Sequence, residues 1–279
     1  MPPFLRRLFF IKFLLKIKLI QSMQFFKYHG TGNDFILIDS RSKAFGLNQA
    51  EIEQLCHRRF GIGADGLILL KNHREYDFQM VYFNADGHEG SMCGNGGRCI
   101  VKFAHDLGVF ENQVSFLAVD GPHAASVKGD IVSLKMSDTK NVSQKDGLNF
   151  YDTGSPHVVK YVENLDTLDV YVEGRAIRYS KFWQANNGTN VNFVEVLDEN
   201  SIKVRTYERG VEDETYSCGT GVTACAIDRL VTDISQSPIY ILTKGGELNV
   251  SFERSRQGGF TNIYLEGPAK RVFEGVLPE

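Results

Sequence analysis

The sequence lacks an excess of basic charge, an even set of cysteines, a zinc-like ligand spacing, and any linker or low-complexity stretch between its halves. Its 279 residues hold 31 Lys and Arg against 34 Asp and Glu, a formal net charge of −3, so no basic field points to nucleic acid as a partner. Five cysteines form no natural disulfide framework and suit a reducing cytosol, hence a cytoplasmic location. The spacings Cys93-x5-Cys99 and Cys218-x6-Cys225 match no common zinc pattern, so no metal is expected. What remains is an ordinary globular composition, 42% hydrophobic and 23% charged, with ample apolar content for a core.

A long apolar run is also missing from the first 22 residues, "MPPFLRRLFFIKFLLKIKLIQS". Five basic residues (Arg6, Arg7, Lys12, Lys16, Lys18) break them, whereas a membrane span needs roughly 20 mostly apolar residues. The same interruptions spoil a signal-peptide core. Residues 1–22 read as an extension upstream of a true start at Met23, with a basic amphipathic membrane-surface helix as the alternative. Without its five basic residues, 26 oppose 34 acidic ones, and the net charge becomes −8.

From Met23 onward the chain alternates β-like runs with turn signals. "FFKYHG", "DFILIDS", "DFQMVYF", "SLKM", "VVKYV", "NFVEV", "IKVRTY", "IYILT", "ELNVSF" and "NIYLEG" read as strands. Asn48-Gln-Ala-Glu51 resembles a capping box for a helix that carries Ile52 and Leu55 and stops near Gly61. Two more helices run through "RCIVKFAHDLG", with Ile100, Phe103, Ala104 and Leu107 on one face and Gly108 as the stop, and through "VTACAIDRLV".

The halves repeat each other in outline. "QMVYFNADGHEGSMCGNGGRC" and "KVRTYERGVEDETYSCGTGVTAC" each contain a strand, a polar turn ending in glycine (Gly87, Gly210), an acidic loop, a Cys-Gly-x-Gly turn and a helix. A repeat of more than 100 residues is too long for a solenoid unit. It predicts an α+β protein of two similar domains facing each other across a cleft, each supplying one cysteine.

Cys93 and Cys218 each precede a glycine-rich turn that opens a helix. Unpaired N–H groups there bind anions and lower a thiol's pKa. Two such loops meeting head-on make a carboxylate site flanked by two thiols. One thiolate can then remove a proton from a carbon while the opposite thiol delivers one to its other face, inverting the centre. Charge developing on the substrate would be held by N–H groups at both helix starts. Cys56, Cys99 and Cys225 lie in apolar helical stretches and read as inert core residues. A disulfide between Cys93 and Cys218 would be an off-state.

Six ordered motifs, "HGTGNDF", "GIGADG", "FNADG", "CGNGGRC", "YERG" and "CGTG", resemble those of the diaminopimelate epimerase family from Met23 to the C-terminus. The resemblance implies cofactor-independent, PLP-independent conversion of LL-diaminopimelate to the meso form, for lysine and peptidoglycan synthesis. It also implies two pseudo-symmetric α+β domains, each a β-sheet wrapped around a central helix, with the active site in the cleft between them and commonly a homodimer. The domains expected are 23–140, onto which the last strand of the chain can pack, and 141–279. Carried over, Cys93 and Cys218 become the acid–base pair, and Gly94, Asn95, Gly219 and Thr220 the loops that hold the α-carboxylate. Asn33, Asn84, Asn190, Glu208 and Arg209 become the pocket for the rest of the substrate. Arg209 suits a carboxylate and Glu208 an ammonium. His157, in "GSPH", is a further site candidate or a satisfied loop residue.

The chain departs from the family at Ser155, where asparagine is frequent, and at Gly66, where glutamine is frequent. Both bear on outer substrate contacts and not on the thiols. The nearest rival is a two-cysteine racemase of the proline or hydroxyproline kind. Such proteins tend to carry histidine at the position of Asn95 and lack "GTGNDF" and "YERG". A non-catalytic amino-acid binding protein is the rival of another class, and it would have no need of paired thiols.

Overall fold

The computed structural model describes residues 23–42, 45–139, 142–232, 237–256 and 258–277. The expectations for residues 1–22 lie outside these. Short β-branched and aromatic runs become strands, and two helices buried on every side become the cores they enclose. The first half comprises β1 (Met23–Gly30), β2 (Asn33–Asp39), α1 (Gln49–Cys56), β3 (Gly66–Lys71), β4 (Phe78–Asn84), α2 (Gly94–Asp106), β5 (Gln113–Ala118), β6 (Gly121–Lys128) and β7 (Ile131–Lys135). The second begins with β8 (Ser143–Lys145), β9 (Leu148–Asp152), β10 (Pro156–Tyr161), α3 (Val170–Arg178) and α4 (Lys181–Ala185). It continues with β11 (Asn190–Val196), β12 (Ser201–Glu208), β13 (Asp213–Thr215), α5 (Gly219–Thr232), β14 (Ile239–Thr243), β15 (Gly246–Arg254), β16 (Phe260–Pro268) and β17 (Lys270–Leu277).

Strand pairing carries the internal symmetry. In the first half β1–β2 is antiparallel, β2–β3 parallel, β3–β4 antiparallel, β4–β5 parallel, and β5–β6 and β6–β7 antiparallel. The same series runs through β9–β10, β10–β11, β11–β12, β12–β14, β14–β15 and β15–β16. α1 occupies the crossover after β2, and α3 with α4 the crossover after β10. Two pairings cross between the halves: β16 lies antiparallel to β7, and β17 lies antiparallel to β1.

The central helices follow from composition. In α2 every residue from Gly94 to Val101 is buried, then Phe103 and Ala104; in α5 Gly221 to Arg229 are buried. A helix enclosed all round needs sheet on several sides, and one apolar cluster accordingly holds Ile100 and Phe103 with Val222 and Ile227. Gly108 ends α2 with φ +70°, as the sequence suggests.

Some details differ from the sequence reading. The capping box of Asn48 and Glu51 is formed, but α1 ends at Cys56, not near Gly61. The chain folds back there, and the N–H groups of Ile62 and Gly63 take the Leu55 carbonyl while that of Ala64 takes Cys56. Both central helices begin earlier than their apolar patterns suggest, because the glycine-rich turns form their first turns. β3, β5, β6, β8, β9, β13 and β17 are strands beyond those expected from the sequence. α3 escaped it because "VYVEGRAIR" mixes β-branched residues with a central glycine.

Candidate active site

The two Cys-Gly-x-Gly turns meet head to head. A Cβ on Gly94 would stand 3.4 Å from the Gly219 Cα, and one on Gly219 would stand 3.1 Å from the Gly94 Cα. Only glycines let the two helix starts approach so closely. The first N–H groups of an α-helix have no partner inside it, so two sets of donors and two positive dipole ends converge here. Cys93 and Cys218 stand immediately before these starts, half-buried and free.

Cys93 is the N-cap of α2: its Sγ accepts from the Gly96 N–H at 3.3 Å. On its other side lies Asn33 Oδ1, 3.8 Å away. Asn33 is held by Asp65, which accepts from its Nδ2 and pairs with Arg58. Asn95 bridges the two loops, its Nδ2 donating to the Ser217 carbonyl at 2.9 Å and reaching Asn33 Oδ1 at 3.3 Å.

Cys218 has different company. Its Sγ lies 3.4 Å from Thr220 Oγ1, which lies 2.8 Å from His157 Nε2. His157 Nδ1 faces the Asn192 amide, whose Nδ2 also donates to the Val158 carbonyl at 2.9 Å. A carbonyl accepts only, so that contact fixes the amide nitrogen, and His157 Nδ1 must accept from it. The imidazole proton therefore sits on Nε2 and is donated to Thr220, leaving the threonine hydroxyl proton free for the Cys218 sulfur. Burial, then the charge of Arg209, lower the His157 pKa to about 3, so the ring is neutral.

The thiols correct one expectation. Burial pushes both pKa values up, and the Gly96 and Gly221 N–H groups oppose it without prevailing. The charge of Glu208 raises both further. Desolvation outweighs the helix-start donors, so both thiols are held protonated.

Glu208 ends β12 largely enclosed, and burial raises its pKa. Among the described residues no cation pairs with it, and Arg209 makes no ion pair either; Arg209 Nη1 donates to the Asn187 carbonyl at 3.1 Å. The Asn190 amide is fully engaged, donating to Ser155 Oγ at 3.0 Å and the Pro156 carbonyl at 2.8 Å and accepting from the Arg209 N–H at 2.8 Å. Asn84 lies exposed at the end of β4, beside Gly90, whose added Cβ would stand 2.7 Å from its Oδ1.

The profile of the family described as diaminopimelate epimerase matches residues 25–142 and 150–272. A diaminopimelate epimerase of Flavobacterium psychrophilum is 51% identical over 258 residues, covering 91% of this chain and 100% of that protein. One of Chlorobaculum tepidum is 45% identical, covering 89% and 98%. This chain belongs to the diaminopimelate epimerase family. Among solved structures, a phenazine biosynthesis protein of the PhzF family from Bacillus anthracis superposes with a TM-score of 0.72 at 14% identity, covering 93% of this chain and 100% of that one. A probable proline racemase from Agrobacterium radiobacter does so at 0.67 and 13% identity, covering 92% and 93%. These likenesses establish the fold alone.

Within this family fold, sequence reading missed Asn192, Thr31, Ser217 and Tyr82. Asn192 and Ser217 act through side chains that carry no charge. Tyr82 explains Gly66: a Cβ there would stand 2.5 Å from the Tyr82 ring and 2.4 Å from the Phe83 carbonyl. The tyrosine fills the space that a longer residue 66 would need. Burial, and then the charges of Cys93, Asp65 and Glu208, raise the pKa of its phenol.

Proposed function

We propose that this chain interconverts LL- and meso-diaminopimelate without a cofactor, for lysine and peptidoglycan precursors, with Cys93 and Cys218 as the two bases. The observation that carries the reading is the head-to-head meeting of two helix starts, each preceded by a cysteine. In this reading the α-carboxylate sits on the N–H groups around Gly94, Asn95, Gly219 and Thr220. That leaves the Cα between the sulfurs.

One thiol gives up its proton to solvent as substrate binds, and the resulting thiolate takes the Cα proton. The C–H electron pair moves toward the carboxylate, and the other thiol gives its proton to the opposite face. The donors at both helix starts hold the charge that develops. The raised thiol pKa values suit this task, since a base in a dry site is stronger toward a weakly acidic C–H. Glu208, with which no cation among the described residues pairs, takes a substrate ammonium, and Arg209 grips a carboxylate, with Asn33, Asn84, Asn190 and Ser155 completing the pocket. His157 supports Cys218 through Thr220.

The same reading takes residues 23–140 and 141–279 as two domains that close on the substrate. Closure predicts substrate-dependent protection in hydrogen exchange, and unchanged protection on binding counts against it. It also places the protein in the cytoplasm as a homodimer; among the described residues no helix is long and apolar enough to cross a membrane.

The test is incubation in D2O with LL-diaminopimelate and, separately, with L-proline, following Cα deuteration and the inverted isomer. Exchange and inversion with diaminopimelate alone are expected. Inversion of proline instead would keep the two-thiol chemistry and overturn the substrate. Turnover of neither, on reduced thiols, would sink the reading.

A further inference from the structure

Arg98 lies one turn after Gly94 on α2, and no step of the proposed reaction uses it. Its side chain is wholly buried, yet among the described residues no carboxylate pairs with it. The acids whose charges act on it are the thiols of Cys99 and Cys93. Burial lowers its pKa to about 10, so it stays a cation at neutral pH. Taking such an ion out of water costs several kcal/mol unless an opposing charge offsets it.

The site is built for the guanidinium. Nη2 donates to Thr31 Oγ1 at 3.0 Å and to Asn95 Oδ1 at 3.0 Å, and Nη1 donates to the Gly94 carbonyl at 3.3 Å. Nε has no partner. Two glycines make the room: a Cβ on Gly30 would stand 3.3 Å from Nη2, and one on Gly267 3.4 Å from Nε. The contact to Asn95 Oδ1 forces the amide's Nδ2 toward Ser217, the residue before Cys218. Thr31 Oγ1 meets Ser217 Oγ at 2.6 Å. One cation thus braces both cysteine loops from behind.

We propose that Arg98 is a positioning residue, a buried cation that locks Asn95 between the loops and whose charge is balanced by the anion formed at the start of α2. That anion is the Cys93 thiolate whenever this otherwise protonated thiol ionises, and the substrate carboxylate once substrate is bound; the second half rests on the function proposed above. The other titratable groups facing Cys93 are Glu208 from β12, Tyr82 from β4, Cys218 from the opposite loop and Cys99 from α2. None of them is a cation, so Arg98 is the charge among them that favours thiolate.

The test uses the full chain as Arg98→Gln, which keeps donors and loses the charge, and Arg98→Lys, which keeps the charge. Alkylation of Cys93 by iodoacetamide is followed against pH without substrate, by peptide mass spectrometry, with kcat and KM for LL-diaminopimelate measured alongside. Arg98→Gln should move the Cys93 profile to higher pH, lowering its rate at pH 8 about tenfold, the equivalent of one pKa unit. KM should rise by about the same factor, while Arg98→Lys stays within about threefold on both. A folded Arg98→Gln protein with an unshifted Cys93 profile would overturn the proposal. If Arg98→Gln does not fold, Arg98→Lys decides: a retained profile supports the charge role, and a tenfold slower Cys93 refutes it. An inactive parent chain would remove the proposed function, but the thiol titration would still decide this inference.

Discussion

The two cysteine loops share a backbone and differ in everything attached to it. Both are glycine turns opening a central helix, set in halves whose strand pairings repeat. Around Cys93 the neighbours are a backbone N–H, the Asn33 side-chain oxygen Oδ1 and the Arg98 cation behind. Around Cys218 they are the threonine hydroxyl and neutral imidazole of an Asn192–His157–Thr220 chain. Pseudo-symmetry therefore supplies two like thiols in opposition, as inversion requires, and the side chains make them unequal. A substrate whose two faces differ calls for such inequality.

The comparison breaks most severely when one loop loses its sulfur. Cys93→Ala and Cys218→Ala should each lower kcat for epimerisation by about 10^3-fold or more, since the proposed reaction uses each as one of its two proton-transfer groups. A stopped assay following inversion checks this. Near-normal inversion by either variant would mean that one thiol suffices.

Glu208 acts on both loops alike, so Glu208→Gln tests what they share. KM for diaminopimelate should rise about 10- to 100-fold, the loss of a charge-assisted contact. Removing the anion should also lower both thiol pKa values, so Cys93 and Cys218 should alkylate faster at pH 8. Slower alkylation of either thiol would contradict the placement of this carboxylate.

Gly219→Ala tests how closely the loops meet. The new methyl, 3.1 Å from the Gly94 Cα, should lower stability by about 1–3 kcal/mol, read as a denaturant midpoint. The helix starts should also be driven apart, with kcat lowered about tenfold. Full stability and activity would mean the two starts are less tightly apposed.

The finest test separates the loops. His157→Gln should slow alkylation of Cys218 but not of Cys93, with kcat down several-fold. It should also change acid stability. The folded His157 resists protonation, with a pKa of about 3 against roughly 6.5 when unfolded. Stability from this group is present above pH 6.5 and is lost as pH falls through the window down to about 3. At pH 5 the loss is roughly 2 kcal/mol, and the glutamine variant should lack it. Parallel stability curves for the two proteins between pH 7 and 5 would refute the neutral, buried ring.

Much of this design was legible in the chain because its signals are local. A cysteine ahead of Gly-x-Gly and an apolar helix names a helix start at Cys93 and at Cys218, and the recurrence of the phrase implies two similar halves. The ordered motifs identify the family, and Asn48 with Glu51 mark a helix start that is formed. What tertiary structure alone decided depends on atoms distant in sequence. The thiols are protonated because burial in the assembled cleft outweighs the helix-start N–H groups, a balance no local motif contains. Asn192 selects the His157 tautomer from 35 residues away, and Tyr82 fills the space over Gly66 across a strand pair. Arg98 is one letter in "CGNGGRC", and only packing makes it a cation without a carboxylate. Sequence determines which chemical groups are available and which helices they cap. Desolvation and the direction of each hydrogen bond arise only when the two halves close around them.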